Sequence, residues 1–556
     1  MPKRAKNILF IMYDQLRFDY LSCGGHPHLH TPHMDSLAAN GVRFSRCYVQ
    51  SPVCGPSRMS CYTGRYVSSH GAAWNKCPLK VGELTVGDHL RAQGMDSWLI
   101  GKTHMQADNA GLERLGISPD SKVGSRIAEC GFDLFLRDDG LWSEGPAGAY
   151  DTRRSPYQEY LREKGYPGSN PWHDYANSSV DADGNIVSGW FMLNATQPAN
   201  IRNEDSETPW LTSQAIEFLK QRKGEDTPWM CHVSYIKPHW PYIVPAPYNS
   251  MYGKNQVPQP VRHPAERENP HPVYREFMDG QIGKSFQRDD VRDEVIPAYM
   301  GLVKQCDDEL GRLLAHLRDT GQAEDTVIVI TSDHGDYLGD HWLGEKDLFH
   351  EPSVKVPLII FDPSETANAS RGMVCEELVE AIDLTATFIE IAGGEVPGHI
   401  VEGRSLLPFL HGTPPADWRD YAVSEYDYST SGMCERLGRT PSNARLVMIA
   451  DKRYKFMHAE GFRPMLFDMA EDPDELNDVA EDPNYQPVIE MMRERLADWA
   501  LRNAQRTTVS DQDIVNRRGG SRQRGLLIGF ASEDEVPAEL RANYTGKAQA
   551  DYTGGR

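Results

Sequence analysis

Polar side chains that can bind metal ions or move protons follow several short apolar runs, at the points where buried strands would end. They are Asp14, Gln15, Lys102, His104, His239, Asp333 and His334. In an open α/β sheet, ligands bind beyond the carboxyl ends of the strands, so these side chains are expected to converge. Carboxylate and amide oxygens with one imidazole suit Ca²⁺, Mg²⁺ or Mn²⁺ better than a structural zinc ion. The sequence therefore predicts a divalent-metal site at one edge of a sheet.

The apolar runs that lead into these residues predict strands of a parallel sheet buried on both faces. They cover residues 7–13, 97–100, 229–235, 327–331 and 356–361. Helical patterns lie between some of them, and the clearest begins after Ile296 and ends at Gly321, with its apolar residues on one stripe. Alternating strands and helices predict a large doubly wound, mostly parallel α/β sheet flanked by helices.

Composition along the chain indicates three parts. Residues 1–414 form the α/β domain, residues 415–505 a smaller α+β domain with antiparallel strands and a helix, and residues 506–556 a polar tail. The tail is interpreted as disordered or as an arm against another subunit, which favours a homo-oligomer, a dimer or a tetramer. Within the first part, the segment 105–209 is expected to be an insertion that walls a pocket, and the Pro-rich segment 241–272 a loop.

The chain of 556 residues has a net charge of −22, which argues against nucleic acid and anionic membranes as partners, because both require a basic surface. No apolar segment approaches the roughly 20 residues that span a bilayer, and no signal-peptide cleavage pattern is found. The ten cysteines lack a disulfide framework and are interpreted as reduced thiols, with Cys47 and Cys61 as packing residues. These features predict a cytoplasmic protein.

The most specific pattern is Cys54-Gly55-Pro56-Ser57-Arg58, followed by Thr63-Gly64-Arg65. It resembles the sulfatase signature, Cys-x-Pro-Ser-Arg followed by Thr-Gly-Arg. Other segments resemble further motifs of that family in the same order, over about residues 5–500. They are Asp14-Gln15, Thr31-Pro32-His33-Met34-Asp35, Gly101-Lys102-Thr103-His104, Pro238-His239-Trp240-Pro241, Thr331-Ser332-Asp333-His334-Gly335-Asp336, Leu338-Gly339-Asp340-His341 with Lys346, and Leu466-Phe467-Asp468. The chain is therefore identified as a member of the sulfatase family, within the alkaline phosphatase superfamily.

The resemblance implies an alkaline phosphatase-like fold and an enzyme that hydrolyses sulfate monoesters of the aryl type, so that the substrate is a small anionic ester. In this family an activating enzyme converts the signature cysteine to formylglycine. The resemblance thus implies formylglycine at Cys54 and a formylglycine-generating enzyme as a partner. The hydrated aldehyde offers one hydroxyl that attacks sulfur and a second whose deprotonation expels sulfate from the sulfated intermediate.

The resemblance also implies a set of metal ligands. They are Asp14, Gln15, Asp333, His334 and the modified Cys54. Ca²⁺ is the family default, and the histidine nitrogen also accommodates Mn²⁺. Asp333 is further implied as the base for the attacking hydroxyl.

The implied catalytic roles of the other residues concern positive charge and protons. Arg58 and Lys102 would hold the nucleophile and offset its charge, and His104 would take the proton that starts product release. His239 and Lys346 would bind the sulfuryl oxygens, and one of them would protonate the leaving oxygen. Such a cationic pocket is compatible with the acidic chain, because its charges are local.

Phosphonate monoester or phosphodiester hydrolysis at the same site is the nearest alternative. Gln15 in place of a second aspartate, Asn75 as a substrate-binding residue and the long C-terminal arm resemble the phosphonate-hydrolase branch. Lys102 and His104 follow the sulfatase pattern instead, since that branch has neutral hydroxyl side chains there. The sequence favours sulfatase activity, with phosphodiester cleavage as a side activity. The alternative from another class is a catalytically silent anion-binding protein in which Cys54 stays unmodified.

Overall fold

A nine-stranded sheet forms the centre of the computed structural model, which describes residues 5–75, 77–140, 155–502, 504–518 and 526–542. Its strands are β1 (Asn7–Asp14), β2 (Val42–Tyr48), β3 (Asp96–Gly101), β4 (Asp133–Arg137), β7 (Trp229–Pro238), β8 (Thr326–Ser332), β9 (Lys355–Phe361), β10 (Met373–Cys375) and β11 (Val379–Glu380). Their order is β10-β2-β9-β8-β1-β7-β3-β4, and β11 also pairs with β2. All five predicted strands are present.

Four neighbouring strands of this sheet, β8-β1-β7-β3, run parallel to one another. β1, β7 and β8 are buried along their whole length, which explains their continuous apolar sequences. The carboxyl ends of β8, β1, β7 and β3 lie side by side, because the four strands run in the same direction and neighbouring strands are about 4.8 Å apart. The polar residues that follow these four strands are therefore brought to one edge of the sheet.

The strand β9 does not follow the predicted parallel direction. It pairs antiparallel with both β8 and β2. Between the end of β8 at Ser332 and the start of β9 at Lys355, the only described helices are a short 3-10 turn and α12 (Glu351–Val354). A parallel return requires a crossover to the opposite edge of the sheet. The chain instead turns back from the edge at which β8 ends.

Helices cover both faces of the sheet. They are α1 (Pro32–Asn40), α2 (Cys54–Thr63), α3 (Val67–His70), α4 (Val86–Ala92), α5 (Asn109–Leu115), α6 (Lys122–Ala128), α7 (Pro156–Glu163), α8 (Glu207–Arg222), α9 (Pro272–Met278), α10 (Gln281–Phe286), α11 (Asp289–Thr320), α12, α13 (Asp383–Ile391) and α14 (Leu407–Leu410). The predicted helix is α11, whose apolar stripe is buried and which ends at Gly321 with φ of 76°. No helix among the described residues is long and apolar enough to cross a bilayer.

The segment 105–209 was predicted to be an insertion, but part of it belongs to the central sheet. Its strand β4 pairs with β3 and forms an edge of that sheet. Most residues of β4 are only half-buried, so this strand has no continuous apolar signal in the sequence. The segment also forms a small hairpin of β5 (Ser178–Val180) and β6 (Ile186–Ser188). Its residues 141–154 lie outside the described residues.

A second, antiparallel sheet follows in the chain, as predicted. It consists of β12 (Ala422–Asp427), β13 (Arg445–Ala450), β14 (Tyr454–Ala459) and β15 (Met465–Asp468). α15 (Met433–Arg436) precedes β13, and α16 (Gln486–Ala500) packs its apolar residues against the buried side chains of this sheet. The predicted large, mostly parallel α/β sheet with an antiparallel sheet in the C-terminal region is thus confirmed.

The chain divides into two compact units, and both sheets belong to the unit formed by residues 1–396 and 401–502. The other unit comprises residues 397–400 and 503–556. Its described part contains α17 (Asp511–Arg517) and α18 (Ala538–Arg541). Residues 519–525 and 543–556 of the predicted tail lie outside the described residues. The domain boundary near residue 414 and the oligomeric role of the tail stay predictions.

Candidate active site

The signature cysteine is the first residue of α2, a helix in which every residue is buried. Arg58 lies one turn later on the same side of the helix as Cys54, because residues four apart share a face. The N–H of Gly55 donates a hydrogen bond of 2.8 Å to Asn75 Oδ1. A Cβ atom at position 55 would lie 2.7 Å from that oxygen. Glycine therefore permits the close approach that places Asn75 beside position 54.

Four of the predicted metal ligands form one buried cluster. They are Asp14, Cys54, Asp333 and His334, and each offers a ligand atom within 4.8 Å of the others. His334 Nε2 lies 3.0 Å from Cys54 Sγ, 3.6 Å from Asp14 Oδ1 and 3.7 Å from Asp333 Oδ1. All four side chains are almost fully buried. Because Asp14 is the last residue of β1 and Asp333 directly follows β8, the parallel pairing of these strands brings the two carboxylates together.

The ring of His334 is oriented for metal binding. Its Nδ1 lies 2.9 Å from the backbone oxygen of Gly335, so this nitrogen carries the hydrogen and donates. Nε2, which faces the cluster, is then left with a lone pair. Burial lowers the pKa of His334, which keeps the ring neutral.

Two buried cations neutralise the carboxylates of this cluster. Arg58 donates from Nε to Asp333 Oδ2 at 2.8 Å and from a terminal nitrogen to Asp14 Oδ2 at 3.2 Å. Lys102 Nζ donates to the same oxygen of Asp14. Burial alone would raise the pKa of Asp14, but the charges of Lys102 and Arg58 outweigh it and hold that pKa well below its usual range. Asp14 is therefore ionised.

Lys346 contacts both Cys54 and His239. Its Nζ lies 3.2 Å from Cys54 Sγ and 3.1 Å from His239 Nε2. His239 Nδ1 lies 2.9 Å from the backbone oxygen of Trp240 and donates to it, so Nε2 accepts from the ammonium group. Burial and the nearby lysines hold the pKa of His239 well below its usual range. This geometry gives a charged donor and a neutral imidazole close to position 54.

His104 lies in the turn that follows β3, with φ of 57°. Asp139 accepts hydrogen bonds from the backbone N–H groups of Thr103 and His104, at 3.0 and 3.1 Å, and so holds this turn. Burial and the charge of Lys102 hold the pKa of the buried His104 well below its usual range. A neutral imidazole is the form that can accept a proton.

The model of the sulfatase family matches residues 6–394, the greater part of the chain. The chain belongs to the sulfatase family. A second family model, N-sulphoglucosamine sulphohydrolase, C-terminal, matches residues 339–502. The resemblance predicted from the Cys54 motif is thus confirmed, and the protein is a sulfuric ester hydrolase.

Similar proteins include both sulfatases and hydrolases of related esters. This sulfatase is 32% identical to the multifunctional alkaline phosphatase superfamily protein PehA of Trinickia caryophylli, over 90% of this chain and 96% of that protein. It is 27% identical to an arylsulfatase of Clostridium perfringens, over 88% and 93% of the two chains. Among solved structures, a phosphonate monoester hydrolase from Silicibacter pomeroyi is 30% identical and superimposes with a TM-score of 0.79, over 91% of this chain and 98% of that chain.

The structure of this sulfatase also shows contacts around the site made by residues to which the sequence analysis assigned no role. Ser57 Oγ donates to the backbone oxygen of Asp333, and Ser234 Oγ accepts from Arg58 at 2.7 Å. Asp336 and Tyr242 both contact Gln15. Asp336 belongs to a segment that resembles a family motif, which is the one signal that could have marked it. Ser234 lies inside an apolar strand and has no such signal.

A row of tryptophan rings lies beside His239 in this sulfatase. The ring centroids of His239 and Trp240 are 4.5 Å apart, and those of Trp240 and Trp190 are 4.8 Å apart. Trp172 extends the row at 6.2 Å from Trp190. Trp172 and Trp190 come from the segment 105–209, which was expected to wall a pocket. We call Trp172, Trp190 and Trp240 the tryptophan wall.

Proposed function

We propose that this sulfatase hydrolyses aryl-type sulfate monoesters with a formylglycine at position 54 as the nucleophile. The proposal rests on the side chains that surround Cys54. Its Sγ lies within 4 Å of Asp14, His334 and Lys346, which combine metal-binding groups with a cation. A tetrahedral anion bound at position 54 would therefore lie near both a cation and the groups that can hold a metal ion.

The donor set fits a divalent metal ion. Asp14, Asp333 and His334 would hold it together with Gln15 and the modified position 54, and the predominance of oxygen donors favours Ca²⁺ or Mn²⁺. When bound, such an ion lowers the pKa of a coordinated hydroxyl group and so supplies a nucleophile at neutral pH. The partial neutralisation of Asp14 and Asp333 by Arg58 leaves the site without excess negative charge toward an anionic ester.

Conversion of Cys54 to formylglycine would replace a thiol that is a poor nucleophile because it stays protonated. Burial and the charge of Asp14 raise the pKa of the Cys54 thiol to about 11, so the thiolate is not favoured. Formylglycine hydrate would supply two hydroxyl groups on one carbon, one for attack and one for product release. In the structure, Cys54 Sγ stands where those oxygens would lie. A formylglycine-generating enzyme is therefore proposed as the partner that activates the chain.

The resemblance to the sulfatase family implies the proposed roles of the surrounding residues, and their contacts support these roles. Asp333 accepts the proton of the attacking group, and Arg58 and Lys102 keep the carboxylates and the nucleophile in place. The neutral His104 accepts the proton that starts product release. Lys346 and His239 bind the sulfuryl oxygens, and this hydrogen-bonded pair delivers a proton to the leaving oxygen. Trp240, the half-buried member of the tryptophan wall next to His239, would pack against an aryl leaving group, because flat apolar rings pack against indole rings.

Lys346→Ala is expected to lower kcat/KM for an aryl sulfate by about 10²–10³-fold, the size of effect seen when one charged or polar stabiliser of a transition state is removed. The matched control is Lys452→Ala, which removes an exposed lysine that pairs with Glu377 outside the site. Initial rates of both variants test the prediction. Equal rates for Lys346→Ala and Lys452→Ala would remove Lys346 from the proposed machinery.

Hydrolysis of phosphodiesters or phosphonate monoesters is the second candidate function. The similarity to the Silicibacter pomeroyi enzyme and the placement of Asn75 against Gly55 favour it. Lys102 and His104 at the site favour the sulfate monoester. Both substrate classes are singly charged tetrahedral esters, so the electrostatics of the site accommodate either.

A kinetic comparison at a constant leaving group tests the ranking. The 4-nitrophenyl esters of sulfate, of methyl phosphate and of methyl phosphonate differ only in the transferred group. We expect kcat/KM for the sulfate to exceed both others by at least about 10-fold, or about 1.4 kcal/mol of transition-state stabilisation. A preference of orders of magnitude for the phosphodiester would reverse the ranking.

A further inference from the structure

Gln15 has an unusually constrained position beside the metal-ligand cluster. Its φ of 66° lies in the left-handed region, which is unfavourable for residues other than glycine. Its backbone N–H donates to Asp333 Oδ1 at 3.1 Å, and its backbone oxygen accepts from Tyr299 OH at 2.7 Å. Both partners are buried, so the backbone of Gln15 is fixed from two sides.

The side-chain amide of Gln15 is fixed at its nitrogen end. Nε2 donates to Tyr242 OH at 3.0 Å and to Asp336 Oδ2. Tyr242 OH in turn donates to Asp336 Oδ2 at 2.7 Å, which closes a triangle of hydrogen bonds. A flipped amide would place its oxygen against the Asp336 carboxylate, so the network determines which end is the nitrogen.

The oxygen end of the same amide has no hydrogen-bond partner among the described residues, although it is buried. An unpartnered buried carbonyl oxygen is unfavourable unless a ligand binds it. Gln15 directly follows Asp14, and its backbone N–H contacts Asp333, so its backbone adjoins two members of the metal-ligand cluster.

We propose that Asp336 and Tyr242 are positioning residues that hold the Gln15 amide with its oxygen as a neutral ligand for the divalent ion. The proposal rests on the metal site of the proposed function. Asp336 acts through its carboxylate, which accepts from the amide nitrogen and would repel any carboxylate at position 15. The pair thus explains why an amide serves at this position.

A double-mutant cycle on Mn²⁺ affinity tests the proposal. The protein is stripped of metal, and the dissociation constant of Mn²⁺ is measured from the electron paramagnetic resonance signal of the free ion. Asp336→Asn is expected to weaken Mn²⁺ binding by about 10–100-fold in the otherwise unchanged protein. In a Gln15→Ala background the same substitution is expected to change the affinity by less than about twofold, because the residue through which Asp336 acts is gone.

Two further variants separate positioning from general stability. Tyr242→Phe removes one partner of the amide and is expected to weaken Mn²⁺ binding by less than Asp336→Asn does, again only when Gln15 is present. Tyr248→Phe is the matched control, because Tyr248 OH also donates to an aspartate, Asp308, at 2.9 Å outside the site. It is expected to leave the Mn²⁺ affinity unchanged.

The proposal is overturned if Asp336→Asn leaves the Mn²⁺ affinity unchanged, or if it weakens binding equally with and without Gln15. The measured Mn²⁺ affinities do not depend on which ester the enzyme hydrolyses. If Asp336→Asn weakens Mn²⁺ binding only when Gln15 is present, but the protein hydrolyses no sulfate ester, the proposed function alone is contradicted. If the protein is an active sulfatase but the effects of the two substitutions on Mn²⁺ affinity are additive, this inference alone is contradicted.

Discussion

Cys54→Ala is expected to abolish sulfate ester hydrolysis, with a loss of at least about 10⁵-fold in kcat, the size of loss seen when the covalent nucleophile of a hydrolase is removed. The fold is expected to persist, because the side chain is small and lies at the first residue of α2. Steady-state rates on an aryl sulfate, together with a circular dichroism spectrum, measure both expectations.

The chemical state of position 54 is measured separately, by mass spectrometry of the peptide that contains it. In active protein we expect a peptide in which the CH₂–SH group is replaced by an aldehyde. Cys54→Ser serves as the matched control, since a hydroxyl of similar size remains but the thiol is lost. Full activity with an unmodified thiol would contradict the proposed nucleophile, and activity retained in Cys54→Ala would contradict any role for this residue.

Arg58→Met is expected to have the largest effect on stability. Arg58 is completely buried between Asp14 and Asp333, and its removal leaves two buried carboxylates without their shared cation. Breaking a buried ion pair in this way costs about 3–5 kcal/mol in the free energy of unfolding. Chemical denaturation in the presence of a chelator measures the difference without a contribution from bound metal.

The matched control for Arg58 is Arg202→Met. Arg202 also contacts two carboxylates, those of Glu204 and Asp205, but its side chain is 61% exposed. Pairs with an exposed cation contribute at most about 1 kcal/mol, and the buried Asp205 keeps its hydrogen bonds from Tyr160 and Tyr166. This variant is therefore expected to be nearly as stable as the parent protein. Equal losses in the two variants would show that burial of the Arg58 pairs is not the decisive factor.

The pH dependence of stability gives a second measurement on Arg58. Because Asp14 has a lowered pKa in the folded protein, its contribution to stability is present above its unfolded pKa and is lost as the pH falls through the folded value. Without Arg58 the folded pKa of Asp14 rises. Acid unfolding is therefore expected to begin at a higher pH in Arg58→Met than in the parent protein.

Much of the fold could be predicted from local sequence. The strands β1, β7 and β8 are buried on both faces, so each required a continuous apolar run that is visible without structural information. The long helix α11 is visible for the same reason, because one stripe of its surface faces the core. β4 and the direction of β9 could not be predicted, since a half-buried edge strand has no apolar run and strand direction depends on the connection.

The sequence by itself determined which residue types were available for chemistry and in which order they occur. Cys54, Arg58, Lys102, His104, His239, Asp333, His334 and Lys346 were all named from motifs, and the structure places them at the same edge of the sheet. Only the tertiary structure decided how they are paired. Arg58 is shared by Asp14 and Asp333, and Asp336 orients Gln15, although 321 positions separate those two residues. Such pairs depend on which strands lie side by side, and β8-β1-β7-β3 are neighbours through crossovers that no local pattern specifies.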